Sequence, residues 1–336
     1  MGLRKLAHYC GAAFRALPAL AIAPFLLVSA ARAEELKVWR HGIVEPNSDA
    51  GFVFMASKGG FAERQRLNVE MVQFKGDPIA LRALLAGDLD SYEGSPGAPI
   101  LAGSRGADVK FAGCYWPVMT YQIYSKTSLN SVADLKGKTL AISSPGSQPD
   151  VMVRAVLDKY NISPNQVSFS VLGSDSDRFK ALAAGIVDAA ADPVDYTPLA
   201  KANGIKRLLD GGEELPNYIK RCITVSGKTL RDRRDDLARF LAAEMNALRF
   251  ALDHRDKEVA LTNEITRRKS DDPRAGFLFD EAKRLSAVDP GMPIPAEKLA
   301  WMRDLLLKTG NLKSSVDIDA LVDNGPREAA LELIGK

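Results

Sequence analysis

The sequence predicts an α/β protein of two similar lobes, each built on a mostly parallel sheet with flanking helices. Strand and helix patterns alternate from residue 36 to about residue 196, which is typical of such sheets. The unit Ala83-Leu-Leu-Ala-Gly-Asp-Leu-Asp90 returns as Ala181-Leu-Ala-Ala-Gly-Ile-Val-Asp188, with the two glycines 98 positions apart (185 − 87). Two extended segments, residues 114–124 and 218–225, have the composition of strands that cross between lobes. A chance likeness of two Ala/Leu-rich helices is the alternative to a repeated lobe.

The individual elements follow from the spacing of apolar residues and from Gly, Pro and Ser at their ends. The predicted strands are residues 36–39, 69–74, 89–92, 109–112, 139–142, 167–172 and 187–191. The predicted helices are residues 52–66, 79–86, 99–104, 150–160, 178–184, 235–254, 257–269, 280–287 and 296–308. Because residues beyond 225 are mainly helical, we expect them to pack onto the first lobe after the chain returns to it.

The first 33 residues have the pattern of an export signal. Arg4 and Lys5 make a basic start, residues 17–31 are apolar, and a small-x-small cleavage signal ends at Ala33. Since the apolar run is too short to span a bilayer comfortably, we expect cleavage between Ala33 and Glu34 and a periplasmic protein.

Removal of this signal changes the net charge. Lys+Arg falls from 45 to 41 against 42 Asp+Glu, so that +3 becomes −1. A nearly neutral chain gives no argument for nucleic acid as a partner. Two cysteines follow the signal, Cys114 and Cys222, and they are interpreted either as a disulfide or as two buried thiols.

The loop at residues 143–148 joins a short strand to a helix and has the chemistry of a small polar site. A helix N-terminus offers unpaired N–H groups and partial positive charge, and Ser144, Ser147 and Gln148 add side-chain hydrogen bonds. The pattern predicts a place to hold a small anion; an ordinary strand-to-helix turn with capping serines is the alternative.

The order of several short motifs resembles the solute-binding components of ABC importers, in the nitrate/sulfonate/taurine and thiamine-pyrimidine (NMT1/THI5-like) group. In chain order these motifs are Gly60-Phe61, Leu67-Asn-Val-Glu70, Ala83 to Asp90, Asp134-Leu-Lys-Gly-Lys138, Ser143-Ser-Pro-Gly-Ser147 and Ala181 to Asp188. The resemblance implies the type II periplasmic binding protein fold, in which two crossing strands join the lobes and the ligand lies between them. The expected division is residues 34–122 plus 223–336 for lobe 1 and residues 123–222 for lobe 2.

Carried over position by position, the resemblance places the ligand site on loops after strand ends. From the first lobe come Arg40, His41, Glu45, Lys75, Gly76, Glu93 and Ser95. From the second lobe come Ser144, Gly146, Ser147, Gln148, Ser174, Arg178, Asp192 and Tyr196. On the crossing strand, Trp116 and Tyr121 are expected to stack on a bound ring.

Several of these residues have a second interpretation. Arg178 either reaches the ligand or pairs with Asp175 or Asp177. Glu93 and Asp192 either cap neighbouring helices or, if they point into the cleft, favour a neutral or amine-bearing heterocycle over an anion.

The function expected from the resemblance is capture of a small organic anion, of the sulfonate or aromatic carboxylate type. A monomer would present this solute to an ABC permease and its ATPase, without a cofactor. The alternatives are a pyrimidine-like or amine-bearing ligand, or an enzyme of the same fold that acts on a pyrimidine-like substrate. No His-Glu-x-x-His or Cys-x-x-Cys pattern supports a catalytic zinc, and the Gly137-Lys-Thr139 stretch lacks the upstream glycine of a phosphate-binding loop.

The export signal gives a first testable prediction. Protein isolated from the periplasm of a producing cell should begin at Glu34, as N-terminal sequencing would show. A chain that keeps Met1 and stays in the cytoplasm would contradict the assignment.

Overall fold

Two five-stranded sheets organise the chain in a computed structural model that describes residues 35–335. The predicted export signal and its cleavage site lie outside the described residues. The strands are β1 (Lys37–Val44), β2 (Leu67–Phe74), β3 (Ser91–Gly94), β4 (Val109–Trp116), β5 (Tyr121–Lys126), β6 (Thr139–Ile142), β7 (Ser168–Val171), β8 (Ala189–Pro193), β9 (Ile205–Asp210) and β10 (Arg221–Ser226).

Helices flank both sheets, as the alternating pattern predicted. In the first part of the chain they are α1 (Ala50–Lys58), α2 (Phe61–Arg64), α3 (Asp77–Ala86), α4 (Gly97–Gly103), α5 (Gln148–Lys159), α6 (Asp175–Ala183), α7 (Thr197–Ala200) and α8 (Gly211–Glu214). Beyond β10 they are α9 (Gly227–Asp232), α10 (Arg234–Asp253), α11 (Arg255–Thr266), α12 (Pro273–Arg284), α13 (Ala296–Lys308) and α14 (Gly325–Leu333). Within residues 35–335, no helix combines the length and apolar character needed to cross a membrane.

Strand order confirms the predicted two-lobed fold. The first lobe contains the sheet β2-β1-β3-β10-β4 and the second lobe the sheet β7-β6-β8-β5-β9. In each sheet four strands run in the same direction, and the remaining strand, β10 or β5, runs antiparallel to both of its neighbours. The chain therefore enters the second lobe between β4 and β5 and returns between β9 and β10.

The two crossings differ in detail from the expected continuous strands. Residues 117–120 and 215–220 are not strands, so each crossing is an irregular segment between two strands in different sheets. The predicted lobe limits, at residues 122 and 223, fall inside β5 and just inside β10. Those limits stay a prediction.

The repeated unit ends its helix in the same way in both lobes. Gly87 and Gly185 both have positive φ, at 85° and 72°. In each case the next residue donates back to the helix, from Asp88 N to Ala83 O (3.0 Å) and from Ile186 N to Ala181 O (2.9 Å). A left-handed residue at this position needs glycine, which explains why the repeat is visible in the sequence.

Two predicted helices differ most from the helices of the structure. The helix predicted over residues 52–66 is two helices, α1 and α2, because Gly60 takes a left-handed conformation between them (φ 73°). Helix α12 begins at Pro273 and not at residue 280, since Asp272 caps it by accepting from Arg274 N (3.0 Å).

The C-terminal helices pack mainly on the first lobe, although Lys308 at the end of α13 pairs with Asp158 on α5 of the second lobe (2.6 Å). Helix α10 contacts α1 and α14, and α13 contacts α4. Helix α12, however, also contacts the turn at residues 194–196 and α7, both in the second lobe. It thus touches both lobes.

A disulfide joins Cys114 on β4 to Cys222 on β10, which resolves the choice left open by the sequence. Their Cα atoms are 3.9 Å apart, below the limit of about 7 Å for a bridge. Both residues are fully buried, and the bridge closes a loop of sequence separation 108 that contains the entire second sheet.

Loss of this bridge should lower the free energy of unfolding by about 2–4 kcal/mol, because the unfolded chain regains the freedom of a long loop. Urea unfolding with and without reductant measures the effect. The double variant Cys114→Ala/Cys222→Ala is the control, and its unfolding midpoint should not respond to reductant. An equal response in both proteins would refute a role for the bridge.

Candidate functional site

A cavity of about 700 Å³ lies between the two sheets. Its walls are the segments that follow β1, β2 and β3 in the first lobe and β6, β7 and β8 in the second. All six strands present their carboxyl ends to it, which is where ligands bind in parallel α/β sheets. The crossing residues Lys220 and Arg221 complete the lining, together with residues from the α11–α12 region.

Eleven of the seventeen residues predicted to bind ligand line this cavity. They are Glu45, Lys75, Gly76, Ser95, Tyr121, Ser144, Ser147, Gln148, Ser174, Arg178 and Tyr196. Their contact with a solute stays a prediction, but the structure does bring them together. The other six do not line the cavity: Arg40, His41, Glu93, Trp116, Gly146 and Asp192.

Arg40 and His41 miss the cavity because they lie within β1 and not after it. Strand β1 continues to Val44, so the loop that reaches the cavity starts there. Arg40 pairs with Asp90 at 3.3 Å. His41 is buried, with Nδ1 2.7 Å from Ser91 Oγ and its ring 4.9 Å from Phe240 on α10.

Trp116 and Glu93 are structural residues of the first lobe. Trp116 is fully buried, packs edge-on against Phe52 (5.6 Å between ring centroids) and lies under the Lys220 ammonium (3.8 Å). The Glu93 carboxylate accepts from Tyr115 Oη (2.8 Å) and from Arg221 (3.1 Å). Neither side chain is therefore available as the ring platform or ligand carboxylate that we expected.

Gly146 and Asp192 miss the cavity for different reasons. Gly146 is exposed and has positive φ (75°), and its N–H donates to Asp150 Oδ2 (2.8 Å). Asp192 is fully buried and pairs with Arg178 (3.1 Å). Burial raises the pKa of Asp192 well above its ordinary value, although Arg178 opposes the shift.

Helix α5 begins at the cavity, two residues before the predicted start. Ser147 is its N-cap, but its hydroxyl accepts from Ser144 N (3.3 Å) and not from the helix. Pro149 stands in the first turn, where a missing N–H does no harm. The loop is thus held by its own hydrogen bonds, with the positive end of the helix at the cavity.

Three other helices, α1, α3 and α6, also start at the cavity, and each carries a carboxylate there. Asp49 precedes α1, Asp77 opens α3 and Asp175 opens α6. Negative side chains at these positions offset the partial positive charge of the helix ends. The start of α5 differs, because its acidic residue, Asp150, does not line the cavity.

Asp49 is the centre of a buried ion-pair network that the sequence did not predict. Its Oδ2 accepts from Lys220 (2.8 Å) and from Arg221 (2.9 Å), and Arg221 continues to Glu93. Burial would raise the pKa of Asp49, but Arg221 and Lys220 hold it well below its usual range. Lys220 and Arg221 are consecutive cations in an otherwise apolar crossing segment, which is the signal that could have found them.

The Arg178 guanidinium is bound by groups of the second lobe itself. Its Nε donates to Ala191 O (2.9 Å), one terminal nitrogen donates to Gly173 O (2.5 Å), and the other contacts Asp175 and Asp192. Of the two interpretations from the sequence, pairing with Asp175 is thus the one seen. Burial would lower the pKa of this guanidinium, but the two carboxylates raise it. Each guanidinium nitrogen of Arg178 thus has a partner within the protein, and the residue forms part of the cavity wall.

A tight hydrogen bond between Asp77 and Tyr92 explains the glycine at the end of β3. A Cβ on Gly94 would lie within 2.5 Å of atoms of both side chains. Burial raises the pKa of Asp77, although the Tyr92 hydroxyl opposes the shift. Any larger residue at position 94 would displace the pair and narrow the cavity.

The two lobes touch at one edge of the cavity, in a contact that we call the seam: Asn47, Ser48 and Arg268 from the first lobe with Asp175 and Asp195 from the second. Asn47 Nδ2 donates to Asp175 Oδ2 (2.6 Å). The Ser48 hydroxyl donates to Asp195 and accepts from Arg268. Burial raises the pKa of Asp195 to about 6, although Ser48 and Arg268 oppose this. Sequence reasoning missed the seam because Arg268 is 220 residues from Ser48.

A match to the NMT1/THI5-like family model covers residues 47–258, which is 212 of the 336 residues. The chain belongs to the NMT1/THI5-like family. A putative binding protein of Brucella abortus is 25% identical over 321 residues, covering 90% of this chain and 95% of that protein. A putative aliphatic sulfonates-binding protein of Bacillus subtilis is 24% identical over 306 residues, covering 89% and 90%.

Solved structures show the same fold. The alkanesulfonate-binding protein SsuA from Xanthomonas axonopodis pv. citri, bound to MOPS, superposes with a TM-score of 0.72 at 22% identity and covers 87% of this chain and 100% of its own. The desulfurization enzyme DSZB superposes less well, with a TM-score of 0.63 at 16% identity over 89% of this chain and 99% of its own. These matches confirm the periplasmic binding protein fold, which also hosts an enzyme.

The Asp49 network gives a prediction about stability. Asp49→Asn should lower the free energy of unfolding by about 3–5 kcal/mol at pH 7, because two buried cations lose their shared carboxylate. Since the folded-state pKa of Asp49 lies below its ordinary 3.8, this contribution is present above about pH 4 and lost as pH falls through the folded value. Urea unfolding at several pH values measures it.

The control for this prediction is Glu45→Gln, a change at an exposed carboxylate that lines the same cavity. It should change the free energy of unfolding by less than about 0.5 kcal/mol. Equal effects of the two substitutions would show that Asp49 does not hold the cations.

Proposed function

We propose that the protein is a periplasmic solute-binding protein that captures a small organic anion, of the sulfonate or aromatic carboxylate type, for uptake by an ABC permease and its ATPase. The observation that carries this proposal is the cavity between the lobes, at the carboxyl ends of strands from both sheets. A site divided between two lobes binds by closing around its ligand, and it needs no bond to break. The protein acts as a monomer in this scheme.

The relatives support an anion as the solute. The Bacillus subtilis relative is named for aliphatic sulfonates, and the similar SsuA structure holds MOPS, a sulfonate. In this chain the start of α5, with Ser144 and Ser147, is the place where the acidic group docks. Lys75, an exposed residue of the cavity lining, supplies a positive charge to the same cavity.

Of the two aromatic residues expected to stack on the solute, Tyr121 keeps that role in this proposal and Tyr196 takes the place of Trp116. Trp116 is buried away from the cavity, whereas Tyr121 and Tyr196 line it. The Tyr121 hydroxyl is fixed by Asp175 (3.2 Å), and the Tyr196 ring packs on Phe179 (4.6 Å). Rings held in this way offer flat surfaces at little entropic cost.

A second candidate, an amine-bearing or pyrimidine-like solute, is favoured by one observation. In the second lobe Asp175 and Asp192 share one buried cation, Arg178, and a third carboxyl, Asp195, lies near enough to interact with both of them. Two of the three, Asp175 and Asp195, line the cavity. A ligand that donates hydrogen bonds would relieve this excess of acceptors.

The enzyme alternative has less support from the side chains. Cys114 and Cys222 are bonded to each other, and His41 is buried away from the cavity. Neither cysteine of residues 35–335 is therefore free as a nucleophile. Recovery of each test compound unchanged after incubation with the protein distinguishes a binder from an enzyme.

The test is calorimetric titration with butane-1-sulfonate, benzoate and an aminopyrimidine. An anion should bind with Kd in the micromolar range or below, and Ser147→Ala should weaken it about 5- to 10-fold through loss of the loop hydrogen bond. Lys75→Gln should weaken it less, and this effect should shrink as salt is added.

Two matched variants control the experiment. Ser57→Ala and Lys58→Gln change the same residue types at the end of α1, outside the cavity lining. Both should bind like the unmodified protein. Tight binding of the aminopyrimidine alone, unaffected by Ser147→Ala and Lys75→Gln, would refute the anion model in favour of the second candidate.

A further inference from the structure

The turn that follows β8, residues 193–196, belongs both to the cavity wall and to the contact between lobes. Pro193, Asp195 and Tyr196 line the cavity. Val194 is buried in an apolar cluster that contains Phe52 and Leu278 of the first lobe. Movement of the lobes apart would therefore expose this turn.

Asp195 is the only charged side chain of that turn, and it is 1% exposed. One carboxyl oxygen accepts from Ser48 of the first lobe, and the other has no hydrogen-bond partner within the described part of the chain. Arg268, the cation of the seam, contacts Ser48 and influences the Asp195 carboxyl through its charge. A buried carboxylate with one hydrogen bond is costly when ionised.

We propose that closure of the two lobes is coupled to the uptake of one proton at Asp195, so that acidification favours the closed form. This inference rests on the proposed solute-binding function, since closure is the act that traps the solute. In an open form water would hydrate the carboxyl, and it would ionise as an ordinary aspartate. In the closed form burial raises its pKa to about 6.

The direction of the effect follows from these two states. Because the closed form binds the proton more tightly, closure is strongest below about pH 4 and weakens as pH rises to about 6. A difference of about two pKa units corresponds to a change of up to roughly 100-fold in the closing equilibrium. Above pH 6 to 7 the equilibrium should level off.

The charged groups around Asp195 do not reverse this sign. In the first lobe, Asp49 keeps its charge over this range because Arg221 and Lys220 hold its pKa low. The positive charges of Arg268 and Arg274 act against the rise in the pKa of Asp195.

In the second lobe, Asp175 adds repulsion that raises the pKa of Asp195 further. Three further groups of this lobe face Asp195: the Asp192 carboxyl and the hydroxyls of Tyr124 and Tyr196. Burial raises the pKa of each of these three groups. Asp192 pairs with Arg178 inside its own lobe and does not cross the seam.

Small-angle X-ray scattering of the solute-free protein tests the proposal between pH 4.5 and 7.5. The radius of gyration should be smaller at the acid end, with most of the change below about pH 6. Asp195→Asn, which keeps the shape of the side chain but cannot ionise, should stay compact over the whole range. Asp188→Asn, at a carboxylate of the second lobe that pairs with Lys126 away from the seam, should behave like the unmodified protein.

Ser48→Ala serves as a second variant if Asp195→Asn does not fold. Loss of the Ser48 hydrogen bond removes an interaction that favours the ionised carboxyl, so the change in radius of gyration should move to higher pH. Near-ultraviolet circular dichroism at each pH confirms that the protein remains folded.

A radius of gyration that does not change with pH, or one that changes equally in Asp195→Asn, would overturn the proposal. The result is independent of the solute, because none is added. If none of the panel compounds binds while the scattering responds to pH as expected, the solute assignment fails and the proton-coupled closure stands. If a compound binds and the scattering is insensitive to pH, the solute assignment stands and the proton-coupled closure fails.

Discussion

The Asp49 carboxylate, buried between two cations, is the interaction on which the cavity depends. Lys220 and Arg221 arrive on the crossing that returns from the second lobe, and Asp49 stands at the start of α1 in the first. An unpaired buried charge would cost several kcal/mol, so the crossing must lie where both cations reach the carboxylate.

The rest of the site is arranged around charges that already have partners. Arg178, Arg221 and Lys220 are each held by carboxylates of the protein, so these cations shape the walls and leave little positive charge for a solute. In the proposed function, recognition of an anion is therefore assigned to the start of α5 and to Lys75. Under that proposal the site discriminates mainly by hydrogen-bond geometry, because net attraction between charges is weak.

Local patterns in the sequence predicted the fold well and the site in part. Strand-to-helix alternation and the glycine that ends the repeated helix are local, and they placed β6 and α13 with their observed bounds. Loop residues after strand ends, such as Ser147 and Lys75, were found because their position depends on the same local pattern. The error at Arg40 and His41 arose because β1 continues four residues beyond Arg40, which apolar alternation in a short strand did not reveal.

Residues whose role depends on distant partners could not be found in this way. Asp195 meets Ser48 across 147 positions and Lys220 meets Asp49 across 171. The sequence around Asp195 or Lys220 contains no pattern that specifies such a contact. The pairing of Cys114 with Cys222 could not be decided from the sequence for the same reason, although the predicted export signal favours a compartment that permits a disulfide.

The order of strands in the two sheets also bears on how the molecule assembles. Strands β5 to β9 are consecutive in the chain, so the second sheet can form from residues 121–210 alone. The first sheet cannot, because β10 lies between β3 and β4 and is synthesised more than a hundred residues after them. Until β10 arrives, the facing edges of β3 and β4 are unpaired and open to mispairing with other chains. The lobe at the start of the chain is thus the last to be completed.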